Sequence, residues 1–568
     1  MAMFAFRPFK KKTVREIAPD EIFLDSHNSP KFDRHQFEGR IERPIGRTAL
    51  SIFSISLIVI AAGLLYKTFS LQIVNGDEYR EQAEQNRLAH SVLFPDRGVI
   101  YDRTGELLAW NELFDVATTS EEEVREFAYR GYSTTTGIAH VMGFVSYPKK
   151  DTSGFYFQEE TTGVSGIEKV YDELLAGVRG TKILEEDARG NILSESVIDQ
   201  PEAGEALTLT IDAAVEHQLG TYIAELAANV GFDGGASVIL DVRTGEILAL
   251  VSIPDYDSNA VSAGDQEALE RYGSDPATPF LNRAISGRYT PGSIIKPFIA
   301  IGALSEGVIT PEKQIYSDGA LRIPNPYNPD KPTIMKDWKA HGWTDVRHAL
   351  AVSSDVYFYQ VGGGFGDQKG LGIDRIDKYV SMFKIGQLTG VDLPGEAEGT
   401  IPTIAWKAKL FPDDPWRVGD TYNTAIGQYG FQVTPIQMAR AVAAIANDGL
   451  LVTPHLIAET ETEIERIDVD TDILQIVREG MRLSVTEGTS KAMSYPDFAV
   501  AGKSGTAELG VSKQNVNSWI VGFWPYDNPR FAFATVMEHG PVTNLMGSAS
   551  VMRRLFDWMR IYTPQYLE

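Results

Sequence analysis

Thr290-Pro291-Gly292-Ser293-Ile294-Ile295-Lys296-Pro297-Phe298-Ile299-Ala300-Ile301-Gly302-Ala303-Leu304 joins a turn to an apolar helix. Gly307 reads as the residue that stops it. Ser293 and Lys296 then stand three residues apart near a helix N-terminus, on one face. The helix dipole there favours a developing oxyanion. The pattern S-x-x-K occurs twice more, at Ser146/Lys149 and Ser381/Lys384. The first has Pro148 inside it, and the second follows no turn. Two further motifs follow Ser293 in order: Ser353-Ser354-Asp355 and Lys503-Ser504-Gly505-Thr506. Each alone has a bland reading, a serine capping a helix or a solvated strand end. Together they supply a nucleophile, a base, a proton-relay hydroxyl and a grip for a carboxylate, which implies acyl transfer through a covalent serine ester.

Strands flank this region on both sides. Ala236 to Val242 and Ile247 to Ile253 enclose Arg243-Thr244-Gly245 and read as a hairpin. Ala213 to Asn229 is amphipathic, with Val215, Leu219, Ile223 and Leu226 on one stripe. Ser293 to Ile445 reads as mainly helical. Phe498 to Ala507, Ser518 to Phe523 and Phe531 to Met537 return to strand, and a helix carrying Met552, Leu555, Phe556 and Met559 ends the chain. Strands at both ends with helices between them predict an α+β fold, a central antiparallel sheet closed by distant segments and flanked by helices. Gly362-Gly363-Gly364-Phe365-Gly366 lacks the G-K-[ST] of a phosphate loop and reads as a turn. Further upstream, Val99 to Tyr101 leads into a turn at Arg103-Thr104-Gly105 and a second strand. Asp96, Arg97, Asp102 and Arg103 are expected to form a local ion network.

With 568 residues the chain needs more than one core. Its 43% hydrophobic and 23% charged residues are those of folded protein, and its net charge of −25 argues against a nucleic-acid partner. Having no cysteine, it has no disulfide, no thiolate metal site and no cysteine nucleophile. Thr48 to Tyr66 holds no charged residue and spans roughly 28 Å as a helix, enough for a bilayer core. It is longer than a signal-peptide core and no clear cleavage site follows, so an uncleaved anchor is expected. Lys10, Lys11, Lys12, Arg40, Arg43 and Arg47 precede it, and Asp77, Glu78 and Glu81 follow. The positive-inside rule leaves the N-terminus cytoplasmic and the remainder outside. The expected organisation is a largely disordered tail (1–47), a transmembrane anchor (48–67), a β-rich pedestal (68–212) and a C-terminal domain (213–568) with all three motifs.

With these motifs in place the chain resembles the class B penicillin-binding proteins, the serine D,D-transpeptidases of bacterial cell-wall synthesis. The likeness covers nearly everything after Lys67. It rests on the three motifs and on Arg97-Gly98-Val99-Ile100-Tyr101-Asp102-Arg103, Asp241-Val242-Arg243-Thr244-Gly245-Glu246-Ile247-Leu248-Ala249, Thr389-Gly390-Val391-Asp392-Leu393-Pro394-Gly395-Glu396 and Ala425-Ile426-Gly427-Gln428. Asp355 where other members have Asn, Asp337-Trp338-Lys339, and His341-Gly342-Trp343-Thr344-Asp345-Val346 are similar to the elongation branch, penicillin-binding protein 2. A division-specific transpeptidase, or an acylatable binding or scaffold protein with little turnover, are the alternatives.

The resemblance implies a mechanism. Ser293 would attack a D-Ala-D-Ala stem peptide. Lys296 would act as a neutral base with Lys503 as the nearby cation, and Ser353 would relay the proton. Asp355 completes that set. The backbone N–H groups of Ser293 and Thr506 would hold the oxyanion, and Lys503, Ser504, Gly505 and Thr506 would line the substrate's carboxylate. β-Lactams would acylate the same serine. The implied partners are a SEDS-family glycan polymerase and elongation scaffold proteins, at the bacterial cytoplasmic membrane with the catalytic domain outside. Some members of the branch bind zinc through two aspartates, a histidine and a cysteine. Asp318, Asp337 and His341 could match three of these, but with no cysteine in the chain no metal and no other cofactor is expected. Members usually insert a head subdomain where only Asp115 to Phe127 bridge the gap here, so the pedestal is expected to be trimmed to its base.

Overall fold

The computed structural model describes residues 46–85, 88–112, 127–152, 156–186, 192–325, 328 and 330–568. The expected disordered tail therefore lies outside the described residues, apart from its last two positions. Two compact units are present, 1–88 and 89–568. In the first, helix α1 (Arg47–Phe69) runs into a π-helical turn, and the continuous 28 residues Arg47–Val74 are long and apolar enough to cross a membrane, with a mean hydropathy of 2.3 over an 18-residue stretch.

The second unit begins with a small sheet. Strands β1 (Ile100–Tyr101), β2 (Leu107–Glu112) and β3 (Tyr129–Tyr132) are antiparallel neighbours, and β4 (Leu207–Thr208) joins parallel to β1. Glu112 stands opposite Tyr129, so β2 and β3 pair directly across the point where the head would be inserted. Most of the connection between them (113–126) lies outside the described residues. The local ion network expected here does not form. Arg97 reaches Glu168 and Asp172, Arg103 reaches Glu246, and the Asp102 carboxylate accepts backbone N–H groups of Thr104, Glu106 and Ala213. Charges adjacent in sequence are here spent on tying distant segments together.

Asp212 caps helix α2 (Ala213–Val230), accepting from the N–H groups of Ala214 and Val215. Strands β5 (Gly234–Asp241) and β6 (Ile247–Ile253) form the expected hairpin. Helix α3 (Lys296–Ser305) follows the turn at Ser293, and Gly307 beyond its end adopts φ +63°. Next come α4 (Val346–Val352), α5 (Asp355–Gly363), α6 (Pro435–Ala446) and α7 (Thr471–Thr486). Strands β7 (Ala501–Leu509), β8 (Asn515–Trp524) and β9 (Phe531–Pro541) and helix α8 (Ser548–Tyr562) complete the chain. The central sheet is antiparallel with order β6-β5-β9-β8-β7, so strands from both ends of the domain share it. Its residues alternate between two cores. Val238, Leu240, Val521 and Val536 pack with α3 and α6, while Ile239, Ile520 and Phe533 pack with α2 and α8.

The mainly helical reading of 293–445 omits two ribbons. Ile315–Ser317 pairs with Gly342–Thr344, and Ala320–Ile323 with Thr333–Lys336. At three or four residues each they are too short to leave a period in the sequence.

Candidate active site

Gly292 to Ile295 form a single 3₁₀ turn that feeds into α3, with Gly292 at φ +57°. Its N–H donates to Gly427 O at 3.0 Å, and a Cβ on Gly427 would lie 2.2 Å from Gly292 O. Glycine at 427 is thus required by close backbone approach. Upstream, Trp519 Nε1 donates to Thr290 O at 3.0 Å, and Tyr289 donates to Glu538, which also pairs with the buried Arg283. The nucleophile turn is therefore held by the sheet before it enters its helix. Gly505 on β7 sits against the same turn. A Cβ there would come within 2.9 Å of the Ile294 side chain and 3.0 Å of Pro291 O.

Ser353 closes α4 in the left-handed region (φ 58°, ψ 40°), and Ser354 caps α5, accepting from Tyr357 N–H. The bland capping reading is thus correct for Ser354, and it frees Ser353 to face the cleft. Lys296 Nζ lies 2.6 Å from Asp355 Oδ1, 2.8 Å from Ser353 O and 3.3 Å from Ser353 Oγ. Lys503 Nζ lies 2.8 Å from Ser353 Oγ and 2.8 Å from Ser504 O. Both lysine side chains are 0% exposed. Ser293, Lys296, Ser353, Asp355 and Lys503, which span 210 positions, thus lie on one turn, three helix ends and one strand. Gly505 is buried, Ser504 partly exposed and Thr506 exposed at the surface of the same strand. Ser504 Oγ is 2.7 Å from Thr489 Oγ1, and Thr489 N–H donates to Ala351 O. Thr489 therefore links the second motif's helix to the third motif's strand. A lone Gly-Thr after a helix carries no spacing signal, so Thr489 is not legible in the sequence.

The expectation has a neutral Lys296 beside a cationic Lys503, whereas the ion pair to Asp355 is made by Lys296. Burial, reinforced by the charge of Lys296, drives the Lys503 pKa well below the usual lysine value, with Asp355 opposing. Among the described residues no carboxylate is in ion-pair contact with Lys503.

Asp337 and His341 serve the second motif in another way. The Asp337 side chain is 0% exposed. Its Oδ2 accepts from Ser354 Oγ (2.9 Å), Val356 N–H (3.0 Å) and Ser317 Oγ (3.3 Å); its Oδ1 accepts from Trp338 N–H (2.9 Å) and lies 3.3 Å from His341 Nε2. Burial lowers the His341 pKa against the pull of Asp337, which favours the neutral ring. Asp318 turns away to Arg322 (2.6 Å) with a half-exposed side chain. The carboxylate oxygens that a metal would need are filled by hydrogen bonds. Among the described residues no three His, Asp or Glu side chains converge. The set does not fit zinc.

A family model described as the penicillin-binding protein transpeptidase domain matches residues 235–557, and one described as the penicillin-binding protein dimerisation domain matches 116–209. The Haemophilus influenzae protein named peptidoglycan D,D-transpeptidase MrdA is 30% identical, over 88% of this chain and 90% of its own length. A solved complex between penicillin-binding protein 2 and MreC from Helicobacter pylori aligns with a TM-score of 0.68 at 26% identity, covering 84% of this chain and 100% of the matched chain. A structure titled as a peptidoglycan synthase complex that coordinates polymerization and crosslinking aligns with a TM-score of 0.68 at 25% identity, covering 90% of this chain and 98% of the other.

Proposed function

The chain belongs to the class B penicillin-binding proteins, and from that premise we propose how its own residues carry out transpeptidation. It is a peptidoglycan D,D-transpeptidase of the elongation type, anchored by a single helix. The observation that carries the residue assignment is the place of Ser353 Oγ at the end of α4, 3.3 Å from Lys296 Nζ and 2.8 Å from Lys503 Nζ, with Lys296 opening the helix that follows the Ser293 turn.

Ser293 Oγ attacks the carbonyl carbon of the penultimate D-Ala, and its proton goes to neutral Lys296. The backbone N–H groups of Ser293 and Thr506, on two segments packed together at Gly505, hold the oxyanion. The C–N bond then breaks, and the leaving D-Ala amine takes a proton through Ser353. Lys503, Ser504 and Thr506 grip the terminal carboxylate of the donor. The amine of a second stem peptide attacks the ester carbonyl, its proton passes through the Lys296–Ser353 pair to the departing Ser293 oxygen as the C–O bond breaks, and a new cross-link is released. A β-lactam acylates Ser293 by the same steps, and its leaving group stays attached.

The polymerase that supplies the glycan strands is of the SEDS family, and elongation scaffold proteins are further partners, a reading supported by the solved complex of penicillin-binding protein 2 with MreC and by the synthase complex. The N-terminus lies in the cytoplasm and the motif-bearing domain outside. The test is labelling with a fluorescent penicillin, mapping of the adduct, and a cross-linking assay with a lipid-linked glycan polymerase. An adduct on Ser293 together with cross-linked product is expected. No adduct there would refute the enzyme reading, and an adduct without cross-links would favour an acylatable binding protein.

A further inference from the structure

Two amines and one carboxylate, Lys296, Lys503 and Asp355, surround Ser353. Two ammonium ions beside one carboxylate would leave a buried charge without its counterpart, which a low-dielectric site strongly penalises. Lys296 has the carboxylate at 2.6 Å. Among the described residues Lys503 has as partners the Ser353 hydroxyl and a backbone carbonyl. The neutral amine of the free enzyme is therefore Lys503, in line with the depression of its pKa by burial. Ser353 Oγ can accept from the Lys296 ammonium while its own O–H points into the lone pair of Lys503. The three groups form a proton path of two short steps, 3.3 Å and 2.8 Å.

In this resting arrangement the proton sits on the wrong lysine. Lys296, one turn from Ser293, is an ammonium and cannot accept the hydroxyl proton. We propose that the donor substrate's own terminal carboxylate activates the nucleophile: docked on Lys503, Ser504 and Thr506, it draws a proton onto Lys503 through Ser353 and leaves Lys296 neutral. The step balances within the cluster. An N–H bond of Lys296 breaks as a new O–H forms on Ser353, and the original Ser353 proton forms the new N–H of Lys503. No proton enters or leaves. Lys296 then takes the Ser293 proton as the acyl bond forms.

The other ionisable groups facing the cluster leave this path free. Asp355 stays with Lys296 from α5, where Tyr359 also senses its charge. Asp337 and His341 are engaged with each other behind the second motif. Glu508, further along β7, pairs with Lys513. The device makes the carboxylate a condition for chemistry as well as for binding, so a peptide blocked at its C-terminus would occupy the cleft without arming Ser293. The inference rests on the transpeptidase reading above.

The test compares a penicillin bearing its free carboxylate with the same penicillin as its carboxamide, on the full-length protein in detergent, with dissociation constant and acylation rate constant measured separately across pH. The carboxylate compound should acylate at a rate nearly flat around neutrality. At saturation the carboxamide should acylate at least about 100-fold more slowly near pH 7 and gain about tenfold per pH unit, since Lys296 must then lose its proton to solvent. Ser353→Ala should bring the two compounds to one slow, pH-dependent rate. Equal acylation rate constants and equal pH profiles at saturation, with the difference confined to the dissociation constant, would overturn the proposal and leave transpeptidation standing. Failure of both compounds to acylate Ser293 would overturn the transpeptidase reading and the proposal with it.

Discussion

Asp337 shows how much a single side chain contributes to the geometry of the second motif. Its carboxylate holds Ser354 and Val356, the residues on either side of Asp355, and so fixes where Asp355 meets Lys296. Asp337→Ala would strand the Ser354 hydroxyl and the Val356 N–H in a buried place, at about 1–3 kcal/mol for each group left unpaired. The expected outcome is a lower melting temperature together with acylation by fluorescent penicillin slowed about tenfold or more, followed by rate at fixed folded fraction. Because hydrogen bonds already fill that carboxylate, chelators should leave both readouts of the unmodified protein unchanged, and added zinc should not raise the melting temperature. Ser293, Lys296, Ser353, Asp355 and Lys503 were legible in the sequence because their chemistry needs fixed types in fixed order. The proton's place was not legible, because it depends on which of two buried lysines Asp355 touches, and no spacing encodes that. Asp337 as a knot of hydrogen bonds was equally hidden, its partners lying 17 to 20 positions away.

At the scale of elements, the sheet's two edges have different duties. On one edge, β7 is pressed against the nucleophile turn at Gly505. Gly505→Ala would push the strand from Ile294 and Pro291. Acylation should fall about 10- to 100-fold, measured by β-lactam labelling rate, while the fold, which does not hinge on that contact, loses no more than about 1–2 kcal/mol. On the other edge, β6 offers the Leu250 N–H to Glu216, a fully buried carboxyl on α2 whose pKa burial raises to about 8. A folded pKa above the unfolded value near 4.5 means stability that is complete below that value and is lost as pH rises through about 8. Glu216→Gln, which is neutral at every pH, should therefore melt higher than the parent at pH 8 and lose that advantage toward pH 5, as thermal scans at the two pH values would show. The hairpin and the terminal strands were readable from short apolar runs bounded by turn residues, since the sheet is buried on both faces. The ribbons at 315–344 were not, because pieces that short take their conformation from what they pack against.

At the scale of the molecule, the expected division at residue 212 marks a change of topology more than a gap in packing. Ile100, Leu108, Tyr132, Met142, Ile167 and Leu175 from the pedestal belong to the same buried cluster as Val238, Phe298 and Val536. Polar ties cross the line as well: Asp102 to Ala213 N–H, Arg103 to Glu246, Tyr171 to Asp392 and Gly137 N–H to Asp255. Segments so joined should unfold together. Glu168 offers the means to test this, since it is fully buried and its two oxygens receive Arg97 and Arg130. Glu168→Ala would leave two buried guanidinium groups without a shared counter-ion, a loss of roughly 3–5 kcal/mol. Glu168 belongs to the pedestal and touches none of the three motifs, so the folded fraction should acylate at an unchanged rate. Heat should nonetheless abolish penicillin labelling and expose the pedestal to protease at the same, lowered temperature. Two separate transitions, with labelling surviving after the pedestal is cut, would mean that the pedestal is an independent module and that its shared core contributes little to holding the transpeptidase domain.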